Sequence, residues 1–354
     1  MNSFGRLFRI SIFGESHGES VGIVVDGCPA GLPLTVDDFL PDLERRKGGT
    51  QKGTTPRQEE DLPIFKSGLF NNKDTGAPIT ILFENKNVRS ADYEKQRDVP
   101  RPGHADFVAH EKFAGFEDYR GSGHFSGRLT VALVAAGVIA KKILKLAKTS
   151  PHLDSNRDPL QRRGADQHLI TITSQILEIG GEKDLNKGLQ KAIDEKDSIG
   201  GIIECRATGL PIALGEPFFD SAESVLSHIV FAIPAVRGIE FGTGFAAARM
   251  FGSQHNDAIQ NMDGKTRTNH AGGIVGGLTN GNELVFRIAI KPTSSTPKEQ
   301  NTLNWNTGKV ENASVKGRHD LCIALRVPAI LEAVTAIVLA DLMMLEQKAP
   351  RIIT

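Results

Sequence analysis

Cysteine is scarce in this 354-residue chain: Cys28, Cys205 and Cys322 are the whole set. Three widely separated thiols build no disulfide framework and show no metal-ligand spacing, which fits a reducing compartment. Net charge is missing as well, because 42 Lys and Arg face 42 Asp and Glu. General nucleic-acid binding rests on an excess of positive charge, so that class is excluded, while a local basic pocket for a small anion is not. The first residues, MNSFGRLFRISIFGES, carry no long apolar run and no cleavage-site pattern, and no signal peptide is expected. No GxxxxGK[ST] phosphate loop occurs. Long uncharged apolar runs are absent too. Residues 129–140 are too few to span a bilayer and run into Lys141-Lys142, and residues 327–345 contain Glu332 and Asp341. Both stretches read as buried core helices. The expectation is a soluble, cytoplasmic protein with no membrane partner.

The composition that is present, 39% hydrophobic and 24% charged, is ordinary for a globular protein of a size that buries a substantial core. No interdomain linker stands out, so residues 1–354 are expected to form a single domain. Strands are expected at 7–13, 21–25, 77–84, 167–179, 201–207 and 283–290. Helices are expected at 35–46, 129–148, 185–196, 221–232 and after Pro328. The first of these has Thr35 as N-cap and Asp37 and Asp38 in its opening turn. Residues 237–249 read as a strand, a Gly turn and a short helix. Strands and helices mix without strict alternation, which points to an α+β fold. Residues 47–60 read as a polar, mobile loop. Residues 97–128 and 252–282 are rich in Gly and His and poor in periodicity, and such segments in compact domains tend to carry function. Gly31-Leu32-Pro33-Leu34 is echoed by Gly209-Leu210-Pro211-Ile212, a match short enough to arise by chance.

Three histidine-bearing turns carry the candidate chemistry. Gly14-Glu15-Ser16-His17-Gly18 places a hydroxyl and an imidazole between glycines, where backbone approaches a ligand closely. Taken alone it is more often a plain turn with a solvated imidazole. Arg101-Pro102-Gly103-His104-Ala105-Asp106 offers a guanidinium fork for carboxylate or phosphate and a proton-transferring imidazole. A metal site from His104, Asp106 and His110 is the alternative there, although the spacing matches no specific signature. Gly317-Arg318-His319-Asp320 sets a carboxylate beside an imidazole, or else is an exposed charged turn. Around them lie Arg45, Arg46, Lys47, Lys52, Arg120, Arg128 and Arg326. Charge runs are usually solvated faces, but repeated pairing of Arg with Gly and His suggests a pocket for a polyanionic small molecule. Lys291-Pro292-Thr293-Ser294-Ser295 offers one ammonium and three hydroxyls to a phosphate. Gly242-Thr243-Gly244-Phe245-Ala246-Ala247 fits GxGxxA, but its context is a poor βαβ unit.

Taken together these segments resemble the chorismate synthase family over nearly the whole chain. The resemblance rests on FGESHGESVGIVVDGCPAGLPL, RRKGGT, RPGHAD, DYRGSGHFSGR, GSQHND, NHAGGIVGG, IKPTSS, KGRHD and RVPAILEAVTAIVLAD, in that order. It implies a β-α-β sandwich with a central helical layer between antiparallel sheets, usually assembled as a homotetramer. It implies a carbon–oxygen lyase that eliminates phosphate from 5-enolpyruvylshikimate 3-phosphate to give chorismate, in an anti-1,4-elimination on the shikimate pathway. Reduced FMN (FMNH2) is required without net redox change, and NADP is associated with the family. Self-reducing members carry extra insertions, so this compact chain implies an external flavin reductase activity. No metal is implied.

Residue by residue, the resemblance makes His17 the acid for the leaving phosphate. It makes His104 the group facing the flavin's pyrimidine edge, and Asp320 the carboxylate managing the N5 proton. Ser16, Arg46, Lys52, Arg101 and Arg128 become substrate-binding residues, Lys52 standing where many members have Arg. The implied cofactor-binding residues are His124, Phe125, Ser126, Pro234, Ala235, Gly276, Lys291, Pro292, Thr293, Ser294, Ser295 and Arg318. His124 and Phe125 replace an Arg and a Ser of the common GGRSSAR pattern, Pro234 replaces an Asn, and Leu321 replaces a Pro.

Overall fold

The computed structural model describes residues 2–49, 51–57, 59–88, 97–146, 169–315 and 319–353. The first sheet contains β1 (Ser3–Phe4), β2 (Arg9–Gly14), β3 (Ser20–Asp26) and β4 (Ile64–Ser67). A small hairpin, β5 (Leu69–Phe70) with β6 (Lys73–Asp74), leads into its last strand, β7 (Ile79–Glu84). The order is β1-β2-β3-β7-β4, antiparallel throughout. In β7 the burial alternates strictly at its start, with Ile79, Ile81 and Phe83 inside, as a half-buried strand requires.

The second sheet contains β8 (Thr171–Ile179), β9 (Gly201–Thr208) and β10 (Val236–Phe241). Another small hairpin, β11 (Ile274–Val275) with β12 (Leu278–Thr279), leads into β13 (Leu284–Ile290). The order is β10-β13-β9-β8, again antiparallel. A third hairpin, β14 (Gln300–Asn304) with β15 (Lys309–Ala313), stands apart.

The helices are α1 (Leu40–Arg46), α2 (Asp106–Phe113), α3 (Thr130–Leu146), α4 (Leu185–Glu195), α5 (Ala222–Val230), α6 (Gly252–His255) and α7 (Val327–Leu345). Helix α3 packs on β3 and β7, α7 packs on β8 and β9, and the two helices pack on each other. Both are apolar on every side: residues 130–140 of α3 and 329–344 of α7 are buried without a break. A helix that is hydrophobic all round belongs in a core, and here it forms the middle layer of a sandwich. The expected α+β fold with a central helical layer is the one observed. Gly137 of α3 faces Ala333 of α7 so closely that a Cβ would overlap it, which sets how near the two axes come.

The segment Ile323–Leu345 is long and apolar enough to cross a membrane, but most of it is buried inside the protein. Its two carboxylates explain its place. Glu332 is bound by Arg45 through two bonds of 2.7 Å, by Lys141 at 3.2 Å and by the Ser174 hydroxyl at 3.0 Å. Asp341 accepts the backbone N–H groups of Arg6, Leu7 and Phe8 at 2.7–2.9 Å, anchoring the start of β2 to the central layer. Buried charges need such partners.

The short echo between residues 31–34 and 209–212 proves structural. Each follows the central strand of its sheet, β3 or β9, and each pairs with the small hairpin ahead of the next strand. Leu34 N–H donates to Asn72 O at 2.9 Å, and Ala213 N–H donates to Thr279 O at 2.8 Å. The halves match strand for strand: β2-β3-β7-β4 against β8-β9-β13-β10, with α1 matching α5 and α3 matching α7.

Other departures are local. The helix expected over 35–46 is broken into a 3-10 turn, Val36–Asp38, and α1, because Pro41 in the first turn of α1 has no N–H to continue the ladder. The unpatterned stretch 97–128 contains α2. Residues 167–168 of the expected strand 167–179 and residues 147–148 of the expected helix 129–148 lie outside the described residues. The GxGxxA match runs from antiparallel β10 into a 3-10 turn, Gly244–Arg249, and is no βαβ unit.

Candidate active site

One cavity of about 650 Å³ opens where the two halves meet. Its floor is made by the N-terminal ends of α3 and α7 and the C-terminal end of α5. Its lining includes the apolar Phe4, Ile10, Ile12, Leu133, Ile229 and Ile330 and the cations Arg46, Arg57, Arg101, Arg128, Lys291 and Arg326, with His104 and Asp320.

The cations of the lining rest on paired carboxylates. Asp61, 4% exposed and in the left-handed backbone region at φ 54°, lies between two buried guanidinium groups. It accepts from Arg46 Nη1 at 3.1 Å and from Arg128 Nη1. Arg46 also donates to Thr130 Oγ1 (3.0 Å), Gly127 O (3.0 Å) and Arg128 O (3.2 Å). Burial pushes the Asp61 carboxyl up, but Arg46 and Arg128 outweigh it and hold the group below its ordinary value.

The RPGHAD segment folds into its own circuit. Arg101 grips Asp106 through Nε and Nη2 at 2.7 Å each and donates to Ser295 Oγ at 3.1 Å and Ser122 Oγ at 2.9 Å. Asp106 also lies 2.6 Å from His104 Nδ1, which leaves Nε2 as the ring nitrogen for a ligand. Burial raises Asp106, yet the bonds from Arg101 and His104 hold it well below the usual carboxylate range. The metal alternative loses its third member here. His110 pairs with Glu117 at 3.1 Å and stacks on Trp305 at 4.7 Å, turned toward the β14–β15 hairpin. Among the described residues no group of three His, Cys, Asp or Glu could hold a metal ion.

The GESHG turn joins β2 to β3. Asn85 clamps it by donating to Glu15 O and Gly18 O at 2.9 Å, while its Oδ1 accepts from Arg128 Nε at 2.9 Å. Ser16 and His17 are buried just behind the cavity wall. The wall there is Gly121, whose φ is +57° and where a Cβ would overlap the His17 ring. Asp320 accepts Thr55 N–H at 2.8 Å and Arg326 Nη1 at 3.0 Å. Gly53 O accepts the N–H groups of Leu321 and Cys322. Those bonds pin part of the loop expected to be mobile across the start of the C-terminal helix region.

The structure thus brings Arg46, Arg101, His104, His124, Phe125, Ser126, Arg128, Pro234, Ala235, Asp320 and the run 291–295 to one cavity, with Ser16 and His17 behind it. His124 spans Gly14 O (3.2 Å) and Asn2 Oδ1 (3.1 Å). Lys52 does not join them: its Nζ donates to Gln190 Oε1 at 3.3 Å on α4. Gly276 sits in the β11–β12 turn. Its neighbour Gly277 accepts from Ala222 N–H at the start of α5, about 13 Å of helix from the end that lines the cavity. Arg318 lies outside the described residues. Asp61, Arg57 and Glu59 were not singled out in the sequence. Arg57 donates to Ser16 Oγ at 3.3 Å and pairs with Glu59 at 2.7 Å. Their spacing of two residues, 57, 59 and 61, is the signal that marks one face of an extended stretch.

Two depressed carboxylates make stability pH-dependent. A lowered folded pKa contributes stability that is complete above the unfolded value of about 3.9 and is lost as pH falls through the folded one. Melting temperatures measured from pH 7 to pH 2 are therefore expected to drop below about pH 4, as Asp61 and Asp106 take up protons. A flat profile down to pH 2 would contradict the assignment.

A cavity lined by cations, apolar side chains and imidazoles is suited to a small polyanion bound beside an apolar group. The comparisons agree. A profile of the chorismate synthase family matches residues 8–344. The chain is 65% identical to a chorismate synthase of Chitinophaga pinensis over 99% of each chain. It is 43% identical to one of Dehalococcoides mccartyi over 99% of each. One of Methanocaldococcus jannaschii is 41% identical, covering 97% of this chain and 96% of the relative. A crystal structure of chorismate synthase shares the fold with a TM-score of 0.68 at 23% identity, covering 97% of this chain and 93% of the other. The chain belongs to the chorismate synthase family and is a lyase of that class. Membership implies a flavin cofactor and 5-enolpyruvylshikimate 3-phosphate as substrate.

Proposed function

We propose that the cavity binds reduced FMN and 5-enolpyruvylshikimate 3-phosphate together and eliminates phosphate to leave chorismate. The observation that carries this reading is one cavity whose lining combines apolar side chains, fit for a flat ring system, with several cations, fit for a substrate with two carboxylates and a phosphate. The 291–295 run fits a phosphate-bearing cofactor. The Thr293 hydroxyl is buried with no hydrogen-bond partner among the described residues, and Lys291 donates to Ser294 Oγ at 2.7 Å. Burial and nearby Arg237 lower the Lys291 ammonium from its ordinary value, so an anion there would be strongly favoured.

In the reaction the C3–O bond breaks, a hydrogen leaves C6, and the ring keeps its oxidation level. Reduced flavin, when bound, would supply electron density that eases C–O cleavage. The protein's part is position and charge. His17, with Ser16 beside it, gives a proton to the departing phosphate oxygen. Arg46, Arg101 and Arg128 act on the substrate chiefly as fixed positive charge, because most of their N–H bonds are held by the protein. Arg318 is assigned to the cofactor. His104 offers Nε2 to the reduced flavin, and Asp320 handles the proton at its N5. His124, Phe125, Ser126, Pro234, Ala235 and the 291–295 run hold the cofactor.

The chain works as one domain, in the cytoplasm, with reduced flavin supplied by an external reductase activity. It assembles as a homotetramer. Phe218, Phe219, Phe245, Phe251 and Met262 are each at least 78% exposed and all fall within residues 218–262, as a surface covered by other copies would be.

The test is anaerobic incubation of the protein with substrate, with and without reduced FMN and with and without chelator. Chorismate and phosphate are expected only with reduced flavin, whatever the chelator. Phosphate release without flavin, abolished by chelator, would show a metal-dependent hydrolase instead. Flavin binding without turnover would show a binding module.

A further inference from the structure

A guanidinium has five N–H donors, and most of those in the cavity wall are taken by the protein. Arg46 gives four, to Thr130 Oγ1, Asp61, Gly127 O and Arg128 O. Arg101 gives four, to Asp106 twice, Ser295 and Ser122. Arg57 gives four, to Glu59 twice and to the hydroxyl and carbonyl of Ser16. Arg128 gives three, to Asn85, Asp61 and Glu84 O. Arg326 gives two: Nε to Arg46 O and Nη1 to Asp320 Oδ2, each at 3.0 Å. Its Nη2 has no partner among the described residues, so a whole NH2 group is uncommitted at the wall. The Arg326 side chain is also the most exposed of the five, 20% against 17% for Arg57 and 2–5% for the others.

The two bonds that Arg326 does make hold the fork still. It closes the 3-10 turn Ile323–Arg326 at the start of α7, and its anchors are a backbone carbonyl and a carboxylate that itself accepts Thr55 N–H at 2.8 Å. A fixed cation with a free pair of N–H groups takes an incoming anion without breaking any bond of the protein and with little ordering cost. Its neighbour indicates which anion. Asp320 is assigned to proton handling at flavin N5, on the side of the substrate that loses its C6 hydrogen. His17 and Ser16 are assigned to the phosphate, which leaves C3 at the opposite corner of the six-membered ring. The two ring carbons beside C6 carry the carboxylates, C1 directly and C5 through its enolpyruvyl ether.

We infer that Arg326 is a substrate-binding residue whose Nη2 donates to one of these carboxylates, holding the C6 side of the ring beside Asp320. This rests on the proposed function and adds to it a direct contact. Arg46, Arg101 and Arg128 supply fixed charge, and Arg326 supplies the open fork.

The test is calorimetric titration of the protein with 5-enolpyruvylshikimate 3-phosphate, with oxidised FMN present or absent so that no turnover occurs. Arg326→Gln is expected to raise Kd roughly 10–100-fold, the effect of losing a hydrogen bond between charged groups. Arg326→Lys keeps the charge and gives up the fork, so it should fall between, and it carries the test if the glutamine variant does not fold. Asp320→Asn keeps the guanidinium, and its Kd should not rise. That result separates contact with substrate from a role confined to placing Asp320. Three analogues locate the contact. One of the two monocarboxamides should weaken binding to the unsubstituted protein about as much as Arg326→Gln does, and should cost that variant little more, because the pair is already broken. The other carboxamide and the analogue without phosphate should lose the same factor in both proteins. An unchanged Kd in the Arg326 variants, or additive losses for both carboxamides, overturns the inference and leaves the reading of the cavity standing. Coupling to the phosphate overturns the carboxylate assignment. Failure of the unsubstituted protein to bind substrate in either condition removes the reading of the cavity, and the inference with it.

Discussion

Replacing His17 with alanine is expected to lower turnover by roughly 10²–10⁴-fold, the range for loss of a positioned general acid. The loss should fall in kcat. Substrate affinity is assigned to the arginines of the lining, whose ion pairs with Asp61 and Asp106 do not involve the His17 imidazole. Asn85, whose bonds hold the GESHG turn through backbone oxygens, remains in place in the variant. The ring packs behind Gly121, so its removal leaves a small cavity and a modest loss of stability. Steady-state assays with reduced flavin, beside a thermal melt, separate the two effects. Turnover within threefold of normal would take His17 out of the chemistry.

Asp61→Asn is expected to have the largest effect on stability, about 3–5 kcal/mol, as for other buried pairs that lose one member. Arg46 is 2% exposed and Arg128 is 7% exposed, and Asp61 is the carboxylate between them. Removing its charge leaves two guanidinium groups facing each other out of water. Asparagine keeps the size of the side chain and tolerates the left-handed backbone, so charge is the main change. Urea unfolding would measure it. A loss under about 1 kcal/mol would mean that the two arginines find other partners or solvent. The same substitution should raise substrate KM, because Arg46 and Arg128 lose the anchor that fixes them in the wall.

Much of this protein is legible from local pattern. Helices α3 and α7 appear as apolar runs interrupted by charge, and burial on every side confirms them as core. Strands β3, β7, β9 and β13 appear as β-branched stretches. The clustering of His104 with Arg101 and Asp106 follows from six residues of sequence, since the circuit is local. Other features depend on contacts between distant positions. Asp61 looks like one acid in a charged string, and nothing nearby in sequence says that it neutralises Arg46 and Arg128. The 47–60 loop looks mobile because its partners, Asp320, Leu321 and Cys322, are more than 260 residues away. The internal echo is too short to trust until two sheets with matching strand order surround it.

The amino-acid order by itself determined the family, the chemistry class and the secondary-structure alphabet, because periodicity, turn residues and motif order act over short separations. Only the tertiary structure decided which cations are spoken for, that Lys52 turns away toward α4, and that Arg326 keeps an Nη2 with no partner among the described residues. Those outcomes are set by packing and by competition for protons among groups far apart in the chain, and no local pattern encodes them.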